Sequence, residues 1–173
     1  KRDLRRSTPM RRVITGEVGA GKAVVSLAAI SVVAEGKSQV LFLAQNRLYA
    51  EASYVFVEPL LRELGLVGRL LKGAPSEAVR DALGRGEVHV LFATPDDVAD
   101  PIEFRRLGLI VVEEASDWGA VNECLNGFKS PKPDILINSV RPLPTAALFG
   151  SYSTYDISVV EDGERKHVEG VIA

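Results

Sequence analysis

The sequence predicts an α/β domain: a mostly parallel central sheet with helices on both faces. Three observations predict it. Short apolar runs alternate with stretches of helical spacing down the whole chain, and strands that are apolar on both sides belong to parallel sheets covered on each face. Near the start, Gly16, Glu17, Val18, Gly19, Ala20, Gly21, Lys22 and Ala23 fit the phosphate-loop pattern G-x-x-x-x-G-K-[ST] except at its last position. Polar clusters then recur just after the apolar runs, where such sheets bind their ligands.

In order, Arg12–Thr15 is a β-prone run ahead of the glycine-rich loop, and the apolar run from Ala23 to Ala34 is the helix that follows it. Gln39–Leu43 is a strand ending at Ala44. Arg47 to Leu64 has helical apolar spacing and stops at Gly65. Leu66–Leu71 is expected as a strand, Pro75-Ser76-Glu77 opens a short helix closing near Gly84, and Val88–Phe92 and Leu109–Val112 are strands. Ile135–Ile137 and Ile157–Val160 complete the expected sheet. The Pro-rich stretch from Lys129 to Pro133 is a loop, not a domain linker.

At 173 residues the chain is long enough for one domain with a real core. A formal net charge of −2 excludes polyanion binding by bulk charge. The N-terminus departs from that balance: Lys1, Arg2, Arg5, Arg6, Arg11 and Arg12 can meet nucleic-acid phosphates, or form a solvated flank. Cys124 is the only cysteine, so no internal disulfide forms and a reducing, cytoplasmic setting is expected. Val24–Ala34 is too short to span a membrane and sits where a buried helix belongs behind the loop, so no membrane partner and no signal segment are expected. His89 and His167 stand far apart without cysteine neighbours, against a zinc site.

The loop pattern has a physical reading. Glycines let the backbone fold around an anion, the helix start points free N–H groups at it, and Lys22 adds a point charge. Ala23 cannot supply the hydroxyl that holds Mg²⁺. A bare glycine-rich turn joining strand to helix is the bland alternative. Glu113 and Glu114 end an apolar strand, where a phosphate-loop NTPase places the carboxylates that hold Mg²⁺ and orient water. Taken alone they are also an ordinary acidic turn. About ninety residues beyond a phosphate loop, the pair reads better as the catalytic carboxylates.

With these residues in view, the chain resembles the first RecA-like motor domain of the RecG family of superfamily 2 DNA helicases, with the transcription-repair coupling factor Mfd second. Asp3-Leu4, Pro9-Met10 and Arg12 ahead of the loop resemble the family's D-L/M…P-M-x-R. Leu48, Ala50 and Glu51 fit its next motif, and Phe104, Leu107, Gly108 and Leu109 fit F-x-x-L-G-L. Glu113 to Gly119 falls on D-E-Q-H-R-F-G, and Pro142-Leu143-Pro144 on P-I-P. Tyr152 and Asp156–Val160 match Y-G-D-L-D-V-S-V-I.

The resemblance implies a RecA-like phosphate-loop NTPase domain over residues 1–160, with 161–173 leading toward a second RecA-like domain. It implies ATP or ADP in the loop, Mg²⁺ at Glu113, water orientation by Glu114, and DNA contacts at Arg47 and Thr94. Other repair proteins are further implied partners. Departures fall on the chemistry: Ala23 replaces Thr, Glu113 replaces Asp, Ala115-Ser116 replace the coupling residues, Gln45-Asn46 replace Pro-Thr, and Ser139-Val140-Arg141 stand for T-A-T. Asp96 and Asp97 add negative charge where DNA would run. The expected function is therefore a RecG-like motor domain with eroded catalysis, binding nucleotide weakly and Mg²⁺ poorly. Two alternatives stay open: an active helicase domain of a divergent RecG or Mfd protein, and a non-catalytic interaction domain on the same fold.

Overall fold

The computed structural model describes residues 8–100, 102–114, 118–128, 132–141, 152–157 and 168–172. Their order is β1 (Arg11–Thr15), α1 (Lys22–Glu35), β2 (Gln39–Ala44), α2 (Arg47–Glu63), β3 (Gly68–Leu70) and α3 (Glu77–Arg85). Then follow β4 (Val90–Ala93), a 3-10 turn at Asp96–Val98, β5 (Leu107–Glu113), α4 (Trp118–Gly127), β6 (Asp134–Ser139), β7 (Tyr152–Asp156) and β8 (Val168–Ile172). The strands form one sheet in the order β3-β4-β2-β5-β6-β1-β7-β8. Every pairing is parallel except that of β7 with β8. The expected mostly parallel sheet covered on both faces is what the chain forms.

Alternation along the strands splits the core into two layers. Leu41, Leu43, Leu91, Ile110, Val112, Ile135 and Ile137 face one side, with Leu83 of α3 and Val121 of α4. Val40, Phe42, Phe92, Leu109, Val111 and Leu136 face the other, with Ile30 and Val33 of α1 and Val57 and Leu61 of α2. Since both faces are covered, successive residues of each central strand are buried, which is why the strands are written as unbroken apolar runs. Gln39 braces the sheet's lower end: its buried amide donates to Leu83 O and Val88 O and accepts from Arg106 N–H. Among the described residues no helix is long and apolar enough to cross a membrane.

One expectation changes. The run expected as a strand at Leu66–Leu71 is paired only over Gly68–Leu70. β7, not anticipated in the sequence, pairs with β1 from Ser153 to Asp156; of the strand expected at Ile157–Val160, Ile157 lies just past β7 and donates its N–H to Thr15 O. Residues 158–160 lie outside the described residues. Within the segment 161–173, Val168–Ile172 is β8, paired antiparallel with β7.

Candidate nucleotide site

The site is assembled at the carboxyl ends of β1, β5 and β6. After Thr15 the chain turns through the loop into α1. Gly19 and Gly21 take φ values of 88° and 92°, a left-handed backbone that costs a residue with Cβ roughly 1–2 kcal/mol. Glycine spacing in the motif is thus a conformational requirement. Gly21 caps α1 without a side chain; Val24 and Val25 N–H both turn back to Gly21 O, and Ala20 N–H goes to Glu17 O. The first-turn donors of Lys22 and Ala23 have no carbonyl a turn earlier to meet, as at any helix start, and are the kind of donors an anion can use. Gly16 is fixed to the neighbouring strand end by its N–H to Ser139 O.

Lys22 is buried, 7 % exposed, and folds over its own loop. Its Nζ donates to Gly16 O at 2.6 Å and Glu17 O at 3.0 Å, and stands 3.8 Å from Glu114 Oε1. Glu114 adopts φ 48°, unusual for a residue with Cβ. Its N–H donates to Asn138 O and its Oε2 accepts from Val140 N–H. These two bonds fix its carboxylate opposite the lysine. The predicted loop residues, Lys22 and Glu114 therefore do meet in one place.

Glu113 is the second acidic group. Its Oε2 accepts from Asn138 Nδ2 at 2.7 Å, and the same amide nitrogen donates to Ser26 Oγ at 2.7 Å. Burial pushes the Glu113 carboxyl above the usual carboxylate range; the Asn138 bond opposes this, neighbouring Glu114 adds to it, and Lys22 opposes it. Asn138 is fully buried, with Oδ1 lacking a hydrogen-bond partner. Sequence reasoning missed Asn138 and Ser26. The signal for Asn138 is a polar residue closing the apolar run Ile135–Ile137 at a strand's ligand-facing end.

A third cluster holds the residues expected to contact DNA. Asp97 Oδ2 accepts from the N–H and the hydroxyl of Thr94, at 2.9 and 2.8 Å, and Oδ1 accepts from Arg47 Nη2 at 3.2 Å. The Asp97 side chain is 2 % exposed and that of Arg47 is 48 % exposed. This corrects the expectation that Asp97 is a surface charge repelling DNA: it is the buried acceptor that organises the turn and is paired with Arg47. Asp96 does lie exposed. Arg11, one of the N-terminal basic residues, is taken up by Tyr152, donating to its hydroxyl and lying over its ring. Residues 1–7, Ala115-Ser116 and Pro142-Leu143-Pro144 lie outside the described residues.

Comparison with known proteins agrees with this architecture. A sequence model of the DEAD/DEAH box helicases matches residues 7–128. The chain is 29% identical over 166 residues to the ATP-dependent DNA helicase RecG of Aquifex aeolicus, covering 92% of this chain and 21% of that protein. Against RecG of Escherichia coli K12 the identity is 29% over 171 residues, covering 94% and 24%. This chain spans about a fifth to a quarter of these relatives' length. A solved structure of RecG bound to a three-way DNA junction superposes with a TM-score of 0.73 at 23% identity, covering 95% of this chain and 23% of that one, which bears on the fold.

Proposed function

Because the chain belongs to the DEAD/DEAH box helicase family, we propose that it is the nucleotide-binding half of a RecG-like DNA motor whose own catalysis is impaired. The observation that carries this is the pairing of an intact phosphate cradle with an altered metal side. Lys22 and the loop N–H groups supply anion recognition, and Glu114 is fixed across from them. Residue 23 carries no hydroxyl, and the Glu113 carboxylate is engaged by Asn138.

ATP or ADP would lie with its phosphates against residues 16–23. The nucleotide supplies the phosphoryl bond whose hydrolysis drives such motors; this chain binds and orients it. Losing one well-placed electrostatic contact costs about 10²–10³ in rate, so two altered positions bring turnover of this domain near background. In this reading a second RecA-like domain completes the site. DNA is a weak partner, touched by the surface around Arg47, with Thr94 and Asp97 shaping it from beneath.

Calorimetric titration with ADP and ATP, followed by hydrolysis assays with branched DNA, tests the proposal. Nucleotide binding with turnover at background is the expected result. No binding would leave an interaction domain. Brisk DNA-stimulated hydrolysis by this chain would instead favour a working helicase domain.

A further inference from the structure

We infer that this site takes nucleotide as the free anion, without a divalent metal, because the Asn138 amide holds the carboxylate that would otherwise serve the ion. The inference rests on the nucleotide-binding reading above and specifies the form of ligand.

An amide –NH₂ has two N–H donors, and Asn138 uses both. One goes to Glu113 Oε2 and one to Ser26 Oγ, each at 2.7 Å. With Nδ2 donating to both, Oδ1 is the atom left without a partner. Ser26 and Asn138 are 2% and 0% exposed. The bridge therefore starts in dry interior at Ser26 and Asn138 and ends at the partly exposed Glu113 carboxylate at the end of β5.

Mg²⁺ requires near-octahedral oxygens at about 2.0–2.1 Å and dehydrates reluctantly. The donor set here does not fit that demand. Ala23 offers no side-chain oxygen. Of the Glu113 carboxylate, Oε2 already accepts from the amide, which leaves Oε1, and the two Glu114 oxygens face Lys22 and Val140 N–H. Asn138 Oδ1 is an unpartnered oxygen, but it is sealed from solvent, where a hydrated ion cannot reach it. What does fit an anion is intact: the helix-start N–H groups and Lys22.

The test titrates fluorescent mant-ADP into the chain in excess Mg²⁺ and in excess EDTA. The two dissociation constants should agree within about threefold. Affinity at least tenfold weaker in EDTA would overturn the inference while leaving the nucleotide reading standing. No binding in either buffer would overturn the nucleotide reading and the inference together.

Asn138→Ala frees Glu113 and should raise the Mg²⁺-to-EDTA affinity ratio to about fivefold or more; an unchanged ratio removes Asn138 from the account. Glu113→Gln, nearly isosteric and still able to accept from Asn138, guards against a folding failure. It should bind mant-ADP as the wild type does in both buffers, whereas a selective tenfold loss in Mg²⁺ would identify Glu113 as a metal ligand and defeat the inference.

Discussion

Lys22 Nζ stands 3.8 Å from Glu114 Oε1, joining the phosphate loop to the acidic end of β5. The arrangement is held from both sides. Glu114 is kept in its left-handed backbone by hydrogen bonds with Asn138 and Val140, and Lys22 is kept over the loop by Gly16 O and Glu17 O. A phosphate entering the loop meets an ammonium already in place, with a carboxylate behind it.

Lys22→Ala should accordingly weaken ADP binding at least several-fold. A charged hydrogen bond contributes roughly 1.5–3 kcal/mol, and part of that is offset because the lysine gives up carbonyl partners to engage phosphate. Calorimetry on the two proteins decides it; equal affinity would show that the loop is only a turn.

Asp97→Ala should lower stability by about 2–6 kcal/mol. The substitution strands the buried N–H and hydroxyl of Thr94, and each unsatisfied buried group costs about 1–3 kcal/mol. It also releases the half-exposed Arg47, whose loss as a partner adds little. Urea unfolding should show the drop for Asp97→Ala and a shift under about 1 kcal/mol for Arg47→Ala. Comparable losses in both would mean that the ion pair, not the turn, carries the energy.

How legible each part was follows from what its residues must satisfy. β2 and β5 are plain in the sequence because both faces of the sheet are covered, leaving Val40–Leu43 and Leu109–Val112 no polar position. The loop is plain because Gly19 and Gly21 need positive φ. By contrast β7 carries Ser153-Thr154-Tyr155, β-prone but not apolar, so a search for apolar runs slides past it to Ile157. α4 includes Gly119, Asn122 and Asn126, poor helix formers, and packs on the core through Val121 and Cys124. At the site, the bond from Asn138 to Ser26 spans 112 positions of sequence. No local pattern encodes a contact of that range.

Gly108→Ala should destabilise by roughly 1–3 kcal/mol, the usual cost of overpacking. A Cβ there would lie 2.7 Å from Ser38 Cβ and 3.0 Å from Val33 Cγ1. The backbone of β5 passes this close to the end of α1 only because residue 108 has no side chain. Thermal unfolding checks it: an unshifted midpoint would mean that α1 moves aside freely.

Cys124 should resist alkylation. Burial pushes its thiol up to about 12, so near pH 8 only about one molecule in ten thousand carries the reactive thiolate. The raised value favours the neutral form below it, and the iodoacetamide rate should climb about tenfold per pH unit across pH 7–9 while staying far below that of free cysteine. Rapid labelling at pH 7 would show that α4 opens readily.

Restoration offers the sharpest check on the altered metal side. Ala23 is exposed at the start of α1, so Ala23→Thr adds a hydroxyl beside the loop with little effect on packing, about 0.5 kcal/mol or less. Glu113→Asp withdraws the carboxylate by one methylene, and the 2.7 Å contact with Asn138 Nδ2 is lost or stretched. The pair of substitutions together thus returns one oxygen donor and releases another. The double variant should bind ADP at least tenfold more tightly in Mg²⁺ than in EDTA, a gain of about 1.4 kcal/mol, where the wild type should show little difference. Each single variant should fall between, since Ala23→Thr alone leaves the carboxylate engaged and Glu113→Asp alone leaves the hydroxyl missing. If the double variant remains indifferent to Mg²⁺, the lesion lies in the neighbouring strand end at Ser139-Val140-Arg141. There Ser139 Oγ is bonded to the Arg141 backbone.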